Sequence, residues 1–267
     1  MRPPAPDLFA LYEHSVQNPE SEVETIDSIY RQLNGRSGRS LREDFCGTGL
    51  ISCNWVKLRP GNTAVGLDLD PGCLAYGERV HKAALKEDQR TRVSAVRQNV
   101  VSVTPPVDVV AACNFSWFIF HDRAALVAYF KAVRRSLAPG GVFAMDIVGG
   151  PDFVSVGSET TRKRLKGFGP YVYEWELKKF NPVQRRGTWA IHFKIPGRRT
   201  VRDAFTYDWR VWTLPEAREA LRDAGFEQTH VFWEKRLRGR DTGIWEAVET
   251  APADECWIAY LVGRAKT

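Results

Sequence analysis

The sequence predicts an α/β protein with a doubly wound, mostly parallel seven-stranded sheet, helices on both faces and an antiparallel β-appendage. Three observations predict it. Short apolar runs alternate with segments of helical periodicity up to residue 150 and again after residue 213, the rhythm of βαβ units. Between them, residues 151–212 turn aromatic and β-branched, broken at Asn181-Pro182 and Pro196-Gly197 as hairpins are. The chain has 267 residues, 43% hydrophobic and 26% charged, enough for one large domain with a full core. That composition rules out a disordered chain, a collagen-like repeat and a disulfide miniprotein. No run approaches the roughly 18 apolar residues of a spanning helix, and the opening Met1-Arg-Pro-Pro-Ala-Pro-Asp7 lacks the apolar stretch of a secretory signal. Cysteines 46, 53, 73, 113 and 256 are odd in number and form no CxxC pair. Neither structural disulfides nor a zinc site is expected, and the expected compartment is cytoplasmic.

Each element has its own signal. Ser21-Glu-Val-Glu24 has capping-box spacing, and Val23, Ile26, Tyr30 and Leu33 then share a helical face before Gly35. Leu41–Phe45 reads as a first strand, followed by a helix on Leu50, Ile51, Trp55 and Leu58 that Pro60-Gly61 closes. Ala64–Asp68 is a second buried strand, Leu74, Glu78, His81 and Leu85 mark the next helix, and Val93–Val96 is a third short strand. Val107–Phe120 is nearly all apolar, as a central parallel strand should be. Leu126, Phe130, Val133 and Leu137 form an amphipathic helix stopped by Pro139-Gly-Gly141, and Val142–Val148 is a fifth strand. In the appendage, 171–180, 188–195 and 200–212 read as strands. Thr213-Leu-Pro-Glu216 is a second capping box, Phe226–Glu234 a strand, 236–254 a polar loop and Cys256–Val262 the last strand. The organisation expected is therefore a core with a helical N-terminal cover (1–150), an appendage acting as a lid (151–212), and a closing helix with the last strands (213–267).

Charge is uneven. Residues 151–210 hold thirteen basic and six acidic side chains, a net +7 against +6 for the whole chain, so the rest is close to neutral. Such a segment either attracts an anionic partner or simply presents the polar faces of surface strands.

The chemistry concentrates in Glu43-Asp-Phe-Cys-Gly-Thr-Gly49, between a strand and a helix. Glycines there let backbone approach a ligand, and the helix N-terminus that follows favours negative charge. Asp68 ends the second strand 19 residues after Gly49, where a doubly wound fold places an acid for two ribose hydroxyls. No G-x-x-x-x-G-K-[S/T] loop occurs. A nicotinamide site would need G-x-G-x-x-G, and its third glycine falls on Ser52.

These residues make the sequence similar to the class I S-adenosylmethionine-dependent methyltransferases. The family's E/D-x-G-x-G-x-G reads here Glu43-x-Phe45-x-Gly47-x-Gly49, with Phe45 in place of the first glycine. Gln98-Asn99-Val100 stands at the family's adenine contact, with Asn99 where an acid is usual. Asp108 and Cys113-Asn-Phe-Ser-Trp117 match the fourth-strand motif, and Leu137-Ala-Pro-Gly-Gly141 the turn into the fifth strand. The resemblance covers 20–150 well and 205–262 loosely. It implies S-adenosylmethionine as cofactor, with S-adenosylhomocysteine as product, held by Tyr12, Arg42, Glu43, Phe45, Gly47, Thr48, Gly49, Asp68, Leu69, Asn99, Val100 and Asn114.

For the acceptor side the candidates are Asn114, Trp117, His121, Tyr171, Tyr207 and Trp209, with Asn114 and His121 as catalytic residues. His121 reads either as a general base at the carboxyl end of the sheet or as a cap at the next helix start. Asn114-Phe-Ser-Trp117 stands where some amine-modifying relatives carry Asn-Pro-Pro-Tyr, and both prolines are missing. His14 lies in a segment that could fold over the cofactor, and His192 reads as a cross-strand packing residue. The appendage aromatics read as an acceptor pocket, by cation–π contact, or as the face docking the hairpins. The function expected is methyl transfer to a small-molecule acceptor, anionic or aromatic in character, with N-methylation preferred to O-methylation. Two alternatives stay open: an RNA or protein acceptor held by the basic appendage, and a non-catalytic partner subunit built on the cofactor fold.

Overall fold

The computed structural model describes residues 7–266; the opening Met1–Pro6, read above as lacking a leader, lies outside the described residues. Helices Leu8–Val16 (α1) and Pro19–Asn34 (α2) lead into strand Ser40–Asp44 (β1), helix Leu50–Leu58 (α3) and strand Thr63–Asp68 (β2). Helix Pro71–Gly77 (α4) runs on into one π-turn, Glu78–Lys82, before Glu87–Arg90 (α5) and strand Val93–Arg97 (β3). Strand Val107–Ala112 (β4), helix Arg123–Arg135 (α6) and strand Leu137–Gly149 (β5) complete the alternating half. Four strands follow, Gly157–Leu165 (β6), Gly169–Asn181 (β7), Arg186–Lys194 (β8) and Val201–Arg210 (β9). Helix Leu214–Asp223 (α7) and strands Gln228–Leu237 (β10), Arg240–Val248 (β11) and Trp257–Arg264 (β12) close the chain.

The main sheet has the order β11-β10-β12-β5-β4-β1-β2-β3, and β6–β9 form a separate antiparallel sheet. The pairs among β1–β5 are parallel, while β12, β10 and β11 add antiparallel. The order in which strands are added reverses between β1 and β4, and the crevice at their carboxyl ends is where such sheets bind ligands. Alternate residues of the central strands face opposite ways. Val110, Ala112, Phe143 and Met145 join α6 and α7 in one core, and Val109, Ala111, Val142 and Ala144 join α2 and α3 in the other.

Five sequence expectations are corrected. The main sheet has eight strands rather than seven, because Arg240–Val248 pairs with β10 where a polar loop was expected. As an outer strand, β11 has exposed side chains and gives no apolar alternation. The appendage has four strands rather than three for the same reason, since β6 reads GSETTRKRL and is exposed along most of its length. The central strand stops at Ala112 instead of reaching Phe120, since Asn114 and Phe115 turn left-handed at φ 59° and 55°. Leu137 opens β5, paired with Val107, rather than ending the helix. Finally, α2 begins at Pro19, two residues before the first residue of the expected capping box, because proline at a helix start gives up no hydrogen bond.

Candidate active site

β1 delivers two acids pointing to opposite sides. Glu43 is buried, and its Oε2 accepts the Ser52 N–H at 2.8 Å and the Ser52 hydroxyl at 2.5 Å, which fixes the start of α3. Burial pushes its carboxyl up to about 8, although both Ser52 bonds pull it down. Asp44, also buried, accepts from Arg42 Nε at 2.6 Å and from the Tyr129 hydroxyl at 2.8 Å.

Phe45 adopts φ 56°, the left-handed conformation that glycine takes without cost. Its ring packs against Phe120 and Tyr129, at centroid distances of 6.2 and 5.8 Å, so the glycine conformation survives without the glycine. Gly47 and Gly49 follow at φ 54° and 68°, and a Cβ on Gly47 would meet nothing within 4 Å, so this backbone faces open space. Asp68 Oδ2 accepts the Gly47 N–H at 2.7 Å and Oδ1 accepts the Asp70 N–H at 2.9 Å. A carboxylate fixed in this way beside an open glycine turn, with a helix N-terminus next to it, fits a ribose and an amino-acid carboxylate. Gly77 makes the loop's packing possible, since a Cβ there would lie 1.9 Å from the Thr48 carbonyl oxygen.

Across the crevice Asp146 of β5 receives the N–H groups of Asn114 at 2.6 Å and Phe115 at 2.8 Å. This fixes the left-handed turn after β4. Burial pushes the Asp146 carboxyl up to about 7 against those two bonds. The half-buried Asn114 has no side-chain hydrogen bond among the described residues, so its amide is free to meet a ligand. The roof is α1. Glu13 accepts from the Thr48 hydroxyl at 2.5 Å and sits 2.6 Å from His81 Nε2, tying the helix to the glycine loop. Tyr12 packs at a tilt against Phe205 of β9, with ring centroids 4.8 Å apart, and burial pushes its phenol up to about 12, with Tyr207 beside it pulling the other way. His14 Nδ1 and the Ser15 hydroxyl meet the Tyr171 hydroxyl at 2.8 and 2.9 Å. One helix thus spans the cofactor loop and the second sheet.

The structure gathers Tyr12, Gly47, Thr48, Gly49, Asp68, Asn114 and Tyr207 around this crevice. The other candidates are placed as follows. Arg42 is fully buried beneath the sheet, bonded to Asp44, to the Ser136 hydroxyl at 2.9 Å and to the Val100 and Ser102 carbonyls, so it is a structural clamp and not a ligand contact. Val100 is itself a core residue. Trp117 is fully buried with its indole N–H on the Asp146 carbonyl at 2.7 Å, and Trp209 is 3% exposed between Phe115, Phe118 and Trp189. Neither offers surface to an acceptor. Tyr171 is 1% exposed and serves as the anchor of α1. Asn99 is exposed and its Oδ1 takes the Val101 N–H at 3.1 Å, closing a local turn, and Leu69 is exposed beside it. His121 is part-buried, with Nε2 2.8 Å from the Asp208 carbonyl of β9, which ties it to the second sheet. His192 is buried between Glu176 Oε2, at 2.8 Å, and the Asp203 N–H, as a packing residue should be.

Sequence reasoning missed Asp146, Glu13, Phe205 and Glu22. A lone acid inside Phe143-Ala-Met-Asp-Ile-Val148 was a signal for Asp146, since acids are rarely buried without a task. Among the described residues all five cysteines are free and no cluster of metal ligands occurs. No described helix is long and apolar enough to cross a membrane.

A methyltransferase-domain family model matches residues 46–143, the stretch from the glycine loop to β5. No curated protein matches the chain in sequence. Solved structures do match along its whole length. CalS10, an amino pentose methyltransferase from Micromonospora echinaspora, is 16% identical with TM-score 0.71, covering 100% of both chains. The sugar N-methyltransferase KedS8 from Streptoalloteichus sp. is 19% identical with TM-score 0.67, over 100% of this chain and 96% of that one. Streptomyces venezuelae DesVI is 17% identical with TM-score 0.70, over 98% of each. The fold and the loop define the class I, Rossmann-like architecture. Residues 46–143 carry a methyltransferase domain on that fold, and the chain is similar along its whole length to methyltransferases of that class, one of them solved with S-adenosylmethionine bound.

Proposed function

We propose that this enzyme methylates the nitrogen of a small amine, a sugar amine being the first class to test. The observation that carries the reading is the charge of the crevice. Glu22, Glu43, Asp68 and Asp146 lie near enough to feel one another's charge, and their hydrogen-bond partners are backbone N–H groups and the Ser52 hydroxyl, not lysines or arginines. Burial raises three of these carboxyls, Glu22 and Asp146 to about 7 and Glu43 to about 8, so a cation among them is stabilised. A sulfonium and an ammonium are such cations, whereas an RNA phosphate is not. The amine or sugar acceptors of CalS10 and KedS8 support the same class.

When bound, the cofactor supplies an electrophilic methyl group on sulfur. The chain's own contribution is position, which in well-aligned systems is worth about 7–11 kcal/mol. In this reading Gly47 and Gly49 admit the cofactor, Asp68 accepts from its ribose, and α1 with Tyr12 and Thr48 closes over it. The free amide of Asn114 orients the acceptor. His121 at the second-sheet wall takes the proton that the amine gives up, once its imidazole leaves the Asp208 carbonyl.

The test is calorimetric titration with S-adenosylmethionine and S-adenosylhomocysteine, then turnover of glucosamine and its 3- and 4-amino isomers with mass-spectrometric location of the methyl. N-methylated product is expected. Methyl on oxygen alone, or on none of the amines, would refute the reading. The exposed basic strand β6, carrying Arg162, Lys163 and Arg164, supports a second reading with a polyanionic acceptor. Its mark would be RNA binding that weakens steeply with salt.

A further inference from the structure

Glu22 stands apart from the other carboxylates of the crevice. It lies in the first turn of α2, where its Oε1 accepts the Asn18 N–H at 3.3 Å and so caps the helix. Its Oε2 is buried and has no hydrogen-bond partner among the described residues. The side-chain Oε1 of Gln17, the residue before Asn18, is a second buried acceptor without a donor among the described residues. The groups that feel the charge of Glu22 include Tyr12 of α1, Glu43 of β1, Cys113 after β4 and Asp146 of β5. These belong to the elements that meet at the carboxyl ends of the switch-point strands, so the buried carboxylate oxygen of Glu22 lies at that end of the sheet. Helix capping accounts for one oxygen and leaves the other unexplained. An unpaired buried acceptor costs free energy that a donor would recover, and a donor bearing positive charge recovers most.

We propose that Glu22 is the receptor for an ammonium group inside the crevice, with Gln17 as an auxiliary acceptor. Two molecules of the reaction carry such a group, the amino-acid end of the cofactor and the amine acceptor. The acceptor arm rests on the function proposed above, and the cofactor arm does not. Burial raises the Glu22 carboxyl to about 7, with Glu20 adding to the rise, so an arriving cation also favours the ionised form that binds it.

The experiment is calorimetry on the full chain and on Glu22→Gln, which keeps the shape and the Asn18 cap while removing the charge. Three titrants are used: S-adenosylhomocysteine; 5′-deoxy-5′-methylthioadenosine, which has the same nucleoside without an amino-acid end; and glucosamine added to the S-adenosylhomocysteine complex. Loss of S-adenosylhomocysteine affinity by about ten- to a hundredfold with methylthioadenosine unchanged assigns Glu22 to the cofactor's ammonium. Unchanged S-adenosylhomocysteine affinity with a similar loss for glucosamine assigns it to the acceptor. The proposal is overturned if Glu22→Gln alters neither titration, if glucosamine does not bind and S-adenosylhomocysteine is unaffected, or if both nucleosides weaken equally, as a misfolded crevice would cause. A positive cofactor arm alongside failure to methylate any amine would sink the function proposed above and leave this assignment standing. Amine turnover that Glu22→Gln leaves untouched would do the reverse.

Discussion

Arg42 and Asp68 are both charged residues at strand positions next to the glycine loop, and they do opposite work. Arg42 is 0% exposed and its guanidinium meets Asp44, two backbone carbonyls and the Ser136 hydroxyl. Truncation leaves Asp44 buried and uncompensated, so Arg42→Ala should cost about 3–5 kcal/mol in urea unfolding. Adding Asp44→Ala should restore part of that loss, and an additive double mutant would count against the clamp. Asp68 carries no such structural load beyond two N–H groups at the crevice rim. Asp68→Ala should therefore leave the melting temperature within a few degrees while reducing S-adenosylhomocysteine affinity about tenfold or more, read by calorimetry. An unchanged Kd would remove the ribose contact from the site. Phe45 shows why a motif can change its letter and keep its shape, because edge-on packing against Phe120 and Tyr129 offsets the ~1–2 kcal/mol that a left-handed conformation costs.

Among the elements, α1 decides access. It is held to the cofactor loop through Glu13 and Thr48, and to the second sheet through Leu11 in the apolar cluster with Tyr171, Ile191 and Phe193. Tyr171 bonds both His14 and Ser15. Tyr171→Phe keeps the ring packing and removes both bonds, each worth about 1 kcal/mol. Hydrogen exchange in α1 should quicken several-fold and S-adenosylhomocysteine should dissociate faster in stopped flow, while the main sheet keeps its protection. Unaltered exchange in α1 would mean that apolar packing alone holds the strap.

For the whole molecule the raised carboxyls set the response to pH. Glu22, Asp44, Glu43 and Asp146 all titrate above their ordinary values, to about 7, 6, 8 and 7, chiefly because burial disfavours the charge. The folded state then holds more protons than the unfolded chain between about pH 4 and 8. Stability contributed by these groups is present below pH 4 to 4.5 and is lost as pH rises through 6 to 8. The ligand-free melting temperature should fall between pH 6 and 8.5 by roughly 5 °C or more. Glu43→Gln should flatten the slope, and a melting temperature that rises over this window would contradict the assignment. Saturating S-adenosylmethionine, a cation, should reduce the fall.

What the sequence determined by itself is whatever local physics settles. The alternating half of the fold was legible because its strands are buried on both faces and its helices are amphipathic. The loop from Glu43 to Gly49 and Asp68 were legible because glycine freedom, a helix start and a strand-end acid are properties of short segments. The second capping box proved to be one, with the Thr213 hydroxyl and the Glu216 carboxylate closing on each other. Strands β6 and β11 were not legible, since an exposed edge strand has no apolar alternation to read. Nor were the roles of Arg42, Trp117, Trp209 and Tyr171, because the same residue types line pockets and fill cores, and only the fold settles which surface they meet. The acidic crevice itself is a tertiary product. Glu22, Glu43, Asp68 and Asp146 lie far apart in the chain, and the carboxyls of Glu22, Glu43 and Asp146 are raised by burial and by neighbouring acids that come together only once helix α2 and the strands converge.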